Sequence, residues 1–335
     1  MTFTWEYMLP LVFMAVMGLA LLAYVVLDGY DLGVGILLPF ASDDQKDVMV
    51  SSIGPFWDAN ETWLVLGIGV LLVAFPLAHG IVLSALYLPV AVMLIGLILR
   101  GVSFDFRVKA RAAHKGTWNV LFALGSLMTA MAQGWMLGSY LTGFDHSWKS
   151  SLFSLGIALT LPTGYAMLGA GWLIMKTSDE LQARAVRWAR RVLWPMGLAL
   201  IAISLASPLV SQTVFDRWFA MPQFLGLLPI PVACALAFYA AFHVTARPNV
   251  VAAGYGWVVF ASTVLIFVLA FIGLAYSLYP YIVIDRMTVW QAASATKSLL
   301  FIFVGVAITL PAIIVYTIFM YRVFWGKARE LSYLP

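Results

Sequence analysis

Nine long apolar stretches constrain the fold of this chain more than any other feature of its sequence. Crossing about 30 Å of hydrocarbon takes about 20 helical residues, and a helix satisfies its own backbone hydrogen bonds in lipid. Continuous apolar runs therefore predict membrane helices, whereas a membrane barrel needs alternating strands. We predict an all-α polytopic membrane protein forming one integral membrane domain over residues 1–335. The predicted spans are residues 8–39, 56–76, 78–99, 117–141, 151–175, 192–212, 224–245, 256–279 and 299–323.

Composition excludes a soluble globular enzyme. Hydrophobic residues make up 63% of the chain and charged residues 10%, against about 45–50% and about 25% in soluble domains. The single cysteine, Cys234, cannot form a disulfide within the chain or a cysteine-based metal cluster, and we expect a small buried hydrophobe there. The N-terminus lacks basic residues before its first apolar run, so we expect no cleaved signal peptide.

The basic residues predict the orientation of the chain. With nine spans, 15 of the 19 Lys and Arg residues fall in the odd-numbered connections and the C-terminal tail, and 4 fall on the opposite side. Because cytoplasmic connections carry the excess of bases, the N-terminus is predicted to lie outside and the C-terminus inside. The net charge of +4 is accordingly read as an orientation signal and not as a nucleic-acid footprint. Tryptophans near the span ends are predicted to anchor at the headgroups: Trp5, Trp57, Trp118, Trp148, Trp172, Trp194, Trp257 and Trp325.

A weak internal sequence repeat, called the internal echo below, suggests how the spans are organised. The segment GYDLGVG at residues 29–35 resembles GYAMLGAG at residues 164–171. Repeats four helices apart predict two four-helix bundles, residues 1–141 and 151–279, plus a peripheral ninth helix at 299–323. Chance similarity is the alternative, because glycine is common in membrane helices. Gly29 and Gly33 form a small-xxx-small face that permits close helix approach.

Charged side chains converge at the predicted cytoplasmic side of three spans. Ionisable groups near the bilayer interior are costly, and membrane proton relays use such groups. A carboxylate cluster beside arginine at a membrane entrance suits proton uptake. The structural alternative is that a carboxylate stabilises a helix N-terminus and that the arginines only signal topology. The residues concerned are Asp28, Asp31, Asp58, Glu61, Arg100, Asp105 and Arg107.

The histidines argue against a haem held by paired ligands in this chain. His79, His114 and His146 fall in predicted connections, and His243 lies near the inner end of a span. A single His or Met ligand stays open as an alternative. The sequence has no phosphate-binding loop, nucleotide fingerprint or metalloprotease motif. We therefore expect no catalytic residue, metal site or cofactor site in the chain.

Three motifs together resemble subunit II of the cytochrome bd family of quinol oxidases. They are LDGYDLGVG at residues 27–35, IGPFWDANETW at 53–63 and RGVSFDFR at 100–107. The likeness extends over the whole chain in length, nine-span topology and outward N-terminus. The chain length and the segment YVVLDGYDLGVGIL are more similar to the cyanide-insensitive branch of the family.

The resemblance implies a heterodimer in the bacterial inner membrane, with a periplasmic N-terminus and a cytoplasmic C-terminus. The partner, subunit I, would carry haem b and a further haem d or b, and would oxidise ubiquinol. The complex would reduce O2 to water and generate proton motive force. Subunit II would bind no haem; it would support assembly, proton delivery and oxygen access, and could hold a structural quinone. A small single-helix accessory subunit is a further implied partner.

The motifs also carry residue roles from the family. Asp58 matches the proton-path carboxylate, and Trp63 matches a tryptophan near the oxygen route. The acidic and basic cluster around Asp58 is matched by Asp28, Asp31, Asp105 and Arg100, and Glu61 joins the predicted proton path by its position. Phe56 departs from a more polar residue seen in some members, which puts a proton route through that position in doubt.

Two other function classes compete with the oxidase subunit. Repeated helical bundles with Gly- or Pro-interrupted spans also mark secondary transporters. Transporters usually place a charged site near the midplane, whereas these acids are predicted at the inner edge. The other class is a purely structural assembly subunit.

Overall fold

A computed structural model describes residues 4–221 and 223–328, and these residues are almost entirely helical. Arg329, counted above among the inner bases, lies outside the described residues. The helices are α1 (Trp5–Leu37), α2 (Asp43–Ile53), α3 (Trp57–Ala74), α4 (Pro76–Lys109), α5 (Ala112–Leu141), α6 (Trp148–Lys176), α7 (Asp179–Val210), α8 (Gln212–Phe219), α9 (Gln223–Leu227), α10 (Pro229–Thr245), α11 (Pro248–Val250), α12 (Trp257–Leu278), α13 (Val289–Ala292) and α14 (Thr296–Val323). Shorter elements are a 3-10 turn (Leu38–Phe40), a π turn (Val251–Tyr255) and an antiparallel hairpin of β1 (Tyr281–Val283) and β2 (Met287–Thr288).

The prediction of nine membrane-spanning helices is confirmed within the described residues. Nine helical segments there are long and apolar enough to cross a bilayer, and the seventh joins α9 to α10. Several helices extend past the predicted spans: α4 continues to Lys109, and α7 begins at Asp179. The apolar pattern ends where charges begin, but Arg, Lys and Glu are good helix formers, so these helices continue beyond the hydrocarbon.

The helices pack in two groups of four, which we call the first and the second circuit. In the first circuit α1 packs on α3 and α5, and α4 packs on both of them; in the second, α6 packs on α7 and α12, and α10 packs on both of them. The interfaces of α6 with α1 and with α5 join the circuits in one buried core, and α14 packs mainly on α1. The division into units 1–141 and 151–279 stays a prediction, because this shared core crosses the boundary.

Glycines allow α1 and α6 to approach at backbone distance. A Cβ atom added at Gly33 would lie 1.8 Å from the backbone oxygen of Tyr165, and one added at Gly169 would lie 2.4 Å from the carbonyl carbon of Gly33. No side chain fits at either position. The two segments of the internal echo therefore pack against each other, each supplying one glycine to the crossing.

The hairpin covers the end of the bundle where α1 begins. The Tyr140 hydroxyl donates to the Ile282 carbonyl at 2.6 Å. Trp290 stacks on Tyr7 with 5.0 Å between ring centroids, and its indole N–H donates to the Tyr7 carbonyl. The last connection of the chain is thus anchored to α1 and α5.

Candidate functional site

One arginine joins two carboxylates from different helices at the end of the bundle opposite the hairpin. Arg100 on α4 and Asp28 on α1 are fully buried, with Arg100 Nη2 2.6 Å from Asp28 Oδ1. The same nitrogen also contacts Glu61 Oε1 on α3, whose side chain is 27% exposed. A single guanidinium nitrogen therefore bridges a carboxylate inside the protein and a carboxylate at its surface.

Close packing of α4 on α5 fixes the backbone of this arginine. A Cβ atom added at Gly125 would lie 2.6 Å from the Gly96 carbonyl oxygen and 2.9 Å from the Arg100 backbone nitrogen. Because α5 reaches α4 backbone to backbone there, Arg100 has little freedom to shift along its helix. The side chain is thereby directed toward α1 and α3.

A second buried carboxylate, Asp31, has only neutral hydrogen-bond partners. Asn60 Nδ2 donates to Asp31 Oδ2 at 2.8 Å and lies 2.9 Å from the Tyr30 hydroxyl. The Tyr321 hydroxyl, from α14, donates to Asn60 Oδ1 at 3.2 Å and lies 2.6 Å from the Tyr30 hydroxyl. Residues from α1, α3 and α14 therefore close a network around a carboxylate that has no ion pair with any described residue.

Aromatic rings cover this network from the nearby bundle end. Tyr30 stacks on Trp172 with 4.1 Å between centroids, and Phe56 stacks on Tyr321 at 4.6 Å. Lys176 Nζ lies 5.2 Å from the Trp172 ring centroid, within cation–π range. These rings thus form an aromatic seal that shields Asp31 from solvent on this side. Phe56, which differs from the more polar residue of some family members, is part of this aromatic seal.

Trp172 corrects one prediction made from sequence. It was predicted to anchor at the headgroups, but only 1% of it is exposed, and its indole N–H donates to the Ser52 carbonyl at 3.2 Å. Its position near a span end is matched by other tryptophans that do face outward, such as Trp194 and Trp257. Position along the helix did not reveal which face of α6 it occupies.

A neutral chain of hydrogen bonds begins one turn from Asp28 and extends into the protein. Tyr24 lies one turn before Asp28 on α1 and accepts from Gln133 Nε2 on α5 at 2.8 Å. The Tyr165 hydroxyl on α6 donates to Gln133 Oε1. Sequence reasoning missed these residues and also Asn60, because it searched for charges. A useful signal was available, since a Gln or Asn inside an apolar span needs partners.

Buried polar atoms without hydrogen-bond partners concentrate in the same place. Seven such side-chain atoms occur in the described residues, and six of them belong to Asp28, Asp31, Arg100 and Ser103. Native proteins usually satisfy such atoms with internal water. The site is therefore polar enough to hold ordered water inside a membrane-spanning core.

Two predicted acids lie apart from the buried group. Asp58 is exposed in the first turn of α3, and Asp105 is exposed on α4. Neither forms an ion pair with another described residue. Glu61, which contacts Arg100, lies one turn after Asp58 on α3.

Trp63, assigned by resemblance to the oxygen route, is buried on α3. Only 4% of it is exposed, and it belongs to an apolar cluster with Ala20 and Tyr24 of α1. Its indole N–H has no hydrogen-bond partner among the described residues. The tryptophan therefore lies beside the buried acid group, on its membrane-interior side.

Arg107 belongs to a separate group that fastens α2. Its Nη2 lies 2.6 Å from Asp47 Oδ1, and its Nε donates to Asn119 Oδ1 at 2.5 Å. Lys115 Nζ reaches the same aspartate at 3.3 Å. The arginine predicted near the acid cluster thus pairs with the α2 carboxylate instead.

Two lysines fasten the C-terminal tail to the end of α6. Lys176 Nζ donates to the carbonyls of Phe324 at 2.6 Å and Gly326 at 3.2 Å. Lys327 Nζ donates in return to the Thr177 carbonyl at 2.7 Å, and partial burial lowers the pKa of this lysine. The tail therefore crosses the bundle end beside the aromatic seal.

Removing the Lys176 ammonium is expected to release this tail. Hydrogen bonds to charged groups contribute about 1.5–3 kcal/mol each, so Lys176→Met should raise tail opening by about tenfold or more. Trypsin cleavage after Lys327, followed by mass spectrometry, measures the change. Lys149→Met, at the other end of α6, is the matched control, and equal cleavage of the two variants would contradict the role of Lys176.

The histidines occupy helix ends and a connection. His79 and His114 lie in the first turns of α4 and α5, His243 in the last turn of α10, and His146 in the connection before α6. Within the described residues, no three His, Cys, Asp or Glu side chains are grouped as metal ligands. Cys234, expected to be buried, is partly exposed on α10.

Comparisons with known proteins agree on one family. A family model described as cytochrome bd terminal oxidase subunit II matches residues 9–324. Cytochrome bd ubiquinol oxidase subunit 2 of Bacillus subtilis is 28% identical, over 89% of this chain and 90% of that protein. Cytochrome bd-I ubiquinol oxidase subunit 2 of Escherichia coli K12 is 25% identical, over 93% of each chain. A chain of the solved bd oxidase from Geobacillus thermodenitrificans shares the fold with a TM-score of 0.79 and 18% identity, over 95% of this chain and 99% of that one.

Proposed function

The chain belongs to the cytochrome bd terminal oxidase subunit II family, and on that basis we propose that it delivers protons and oxygen to a haem-bearing partner subunit. Family membership makes it a membrane-embedded subunit of a bacterial terminal quinol oxidase, and it disfavours the transporter alternative. The proposal concerns what this subunit contributes: support of assembly, a cytoplasmic proton path and oxygen access.

The proposed partner, subunit I, holds haem b and haem d or a further haem b, and takes electrons from ubiquinol. Those haems supply the reduction of O2 to water. The placement of the four histidines at helix ends and in a connection supports locating the haems in the partner. A structural quinone, a small accessory subunit and membership of the cyanide-insensitive branch stay predictions.

The bridge made by Arg100 carries the proton proposal. Glu61 is reachable from the surface, Asp28 is not, and the same guanidinium nitrogen contacts both. Because both carboxylates contact this one nitrogen, a proton accepted at Glu61 can pass to the neighbouring buried acid without crossing apolar packing, while the guanidinium keeps its own protons. Asp31 adds a further buried carboxylate without an ion pair to Arg100, so the neighbourhood holds three acids and one arginine, a balance suited to proton exchange in a membrane protein.

Exposed acids indicate where the partner binds. Asp58 and Asp105 lie on helices whose other exposed side chains include Val65, Val102 and Phe106. Carboxylates on an apolar membrane face are costly unless protein or water covers them. We propose that subunit I covers this surface of α3 and α4, and that Asp58 and Asp105 lie along the proton path at that interface.

Oxygen access is proposed to run past Trp63. Oxygen is apolar and partitions into the bilayer, so its route needs side chains without strong hydration. Trp63, Ala20 and Tyr24 form an apolar cluster that residues of α14, including Leu310 and Ile314, extend. The cluster links the lipid-facing helix α14 to the neighbourhood of the acid group.

The orientation proposed from sequence completes the direction of transfer. The basic ends of α4 and α7 lie at the same bundle end as the acid group. With that end in the cytoplasm, the N-terminus is periplasmic and the C-terminus cytoplasmic. Protons consumed at oxygen would then come from the cytoplasm, which generates proton motive force.

Neutral variants of the two outer acids test the proton path. In the assembled complex with full haem content, Glu61→Gln and Asp58→Asn are each expected to slow quinol-driven oxygen consumption and proton uptake by about a hundredfold or more, the usual range for a lost proton-transfer group. Glu6→Gln, at the opposite end of the bundle, is the matched control.

Three results separate the candidate roles. Unchanged turnover and proton uptake in Asp58→Asn would remove that residue from the path, and the same result in Glu61→Gln would refute the Arg100 bridge as the route. Loss of haem content in both variants would favour the purely structural assembly subunit.

A further inference from the structure

Two exposed stripes on neighbouring helices of the second circuit have the same layout. On α7, positions 187, 191, 194, 198 and 201 follow helical spacing and are all exposed. On α10, positions 232, 236, 239 and 243 do the same, with position 243 partly exposed, and Arg247 is exposed just beyond the end of this helix at Thr245. At the bundle end that holds the acid group the α7 stripe is basic and the α10 stripe is followed by Arg247, and both stripes are apolar along the rest of their length.

The two stripes lie side by side at a known register. The Trp194 ring packs edge-on against Phe238 and Phe242 of α10, each at 5.8 Å between centroids. The helices are antiparallel, so one turn toward the basic end from this contact lie Arg191 on α7 and the C-terminal end of α10, which Arg247 follows. Arg190 and Arg187 adjoin Arg191 on the exposed surface of α7.

These arginines lack acidic partners. No Asp or Glu of the described residues pairs with Arg187, Arg190, Arg191 or Arg247, although Arg184 on the same helix pairs with Glu180. Arg247 Nη1 lies 2.9 Å from His243 Nε2, one turn before it in the chain. The surface concentrates positive charge where a membrane has its headgroups.

The apolar part of the same surface can accept acyl chains. Leu198 is 66% exposed and Leu236 is 65% exposed on the facing stripes. Trp194 and Tyr239 stand between these leucines and the arginines, at the level that amphipathic rings prefer. Along this surface, basic residues are followed by aromatic residues at the interface level and then by apolar residues. This is the same order as the headgroup, interfacial region and acyl chains of a phospholipid.

We propose that this groove, defined by Arg190, Arg191, Trp194, Leu198, Tyr239 and Arg247, binds an acidic phospholipid of the cytoplasmic leaflet. The arginines hold the phosphodiester group by charge-assisted hydrogen bonds, and the acyl chains lie along α7 and α10. The inference rests on the proposed orientation of the chain. The alternative is that these arginines only set the orientation of the chain. Orientation requires basic residues in the connection, but it requires neither an apolar stripe next to them nor the neighbouring Arg247.

Lipid counting on the purified oxidase complex tests the groove. The complex in detergent is mixed with equal amounts of phosphatidylglycerol and phosphatidylcholine of identical chains, and native mass spectrometry counts the retained lipids. Wild-type complex is expected to retain phosphatidylglycerol preferentially. Arg190→Gln/Arg191→Gln/Arg247→Gln should weaken that retention by about a hundredfold, and Arg190→Gln/Arg191→Gln alone by about 25-fold, since each base adds roughly a factor of five.

The control removes equal charge from the opposite side of the membrane. Arg217→Gln/Arg286→Gln/Lys297→Gln should retain phosphatidylglycerol as the wild type does. Equal retention by the triple groove variant and the wild type would overturn the proposal, as would equal retention of the two lipids by the wild type. Loss of a copurifying polypeptide with an unchanged lipid count would also overturn it, by assigning the groove to a protein. If the triple variant fails to assemble, the double variant decides the question, because it keeps Arg184, Arg187 and Arg247.

Discussion

Replacement of Arg100 by glutamine is expected to abolish most of the assembled, haem-containing oxidase. The substitution leaves Asp28 buried without a cation, and removing one partner of a buried pair costs about 3–5 kcal/mol. That cost is a large part of a typical stability of about 5–15 kcal/mol. Haem absorbance of the purified complex per unit of membrane protein measures the loss.

A second substitution separates stability from proton transfer. In Asp28→Asn/Arg100→Gln the unpaired charge is gone, so haem content should recover while oxygen consumption stays at least about tenfold below wild type. Arg217→Gln, at the opposite bundle end, controls for the loss of an arginine as such. Full turnover in the double variant would show that the pair serves only the fold.

Replacement of Gly169 by alanine is expected to have an effect of similar size through packing alone. The new Cβ would meet the backbone of α1 at Gly33, and neither backbone can yield without separating the helices. Overpacking a core usually costs about 1–3 kcal/mol, and a backbone-to-backbone clash belongs at or above the upper end. The thermal unfolding temperature of the complex and its yield should both fall.

The matched control lies on the same helix. Gly156 of α6 has nothing within 4 Å of an added Cβ, so Gly156→Ala should leave yield and unfolding temperature unchanged or slightly raised, because alanine favours helix more than glycine does. Equal behaviour of the two variants would mean that the α1–α6 crossing tolerates more separation than the glycine contacts indicate.

The sequence was sufficient for the parts of the fold that depend on one-dimensional patterns. Apolar run length predicted nine spans, and the chain continues as helix past several predicted ends because its charged connections are also good helix formers. The similar glycine segments hinted at a relation between α1 and α6. They could not show that Gly33 and Gly169 meet each other, because spacing within a helix does not say which neighbour a small face contacts.

For the candidate site, sequence reasoning found the charges and missed the neutral groups. Asp28, Glu61 and Arg100 come together as their shared level predicted. The partners of Asp31 were invisible from sequence: Asn60 and Tyr321 are far apart in the chain and carry no charge. Asp58 was placed on the right helix, but side-chain exposure depends on the packing of all surrounding helices.

Because Tyr321 lies near the end of the chain, the hydrogen-bond network around Asp31 can be completed only late in biosynthesis. Asp31 and Asn60 are translated early, whereas the hydroxyl that closes their network, and the aromatic stack with Phe56, come from the last helix of the described chain. The network around Asp31 therefore closes only after α14 has entered the membrane. An incomplete subunit would present polar groups of α1 and α3 to lipid, a feature by which membrane quality control can distinguish it from a finished one.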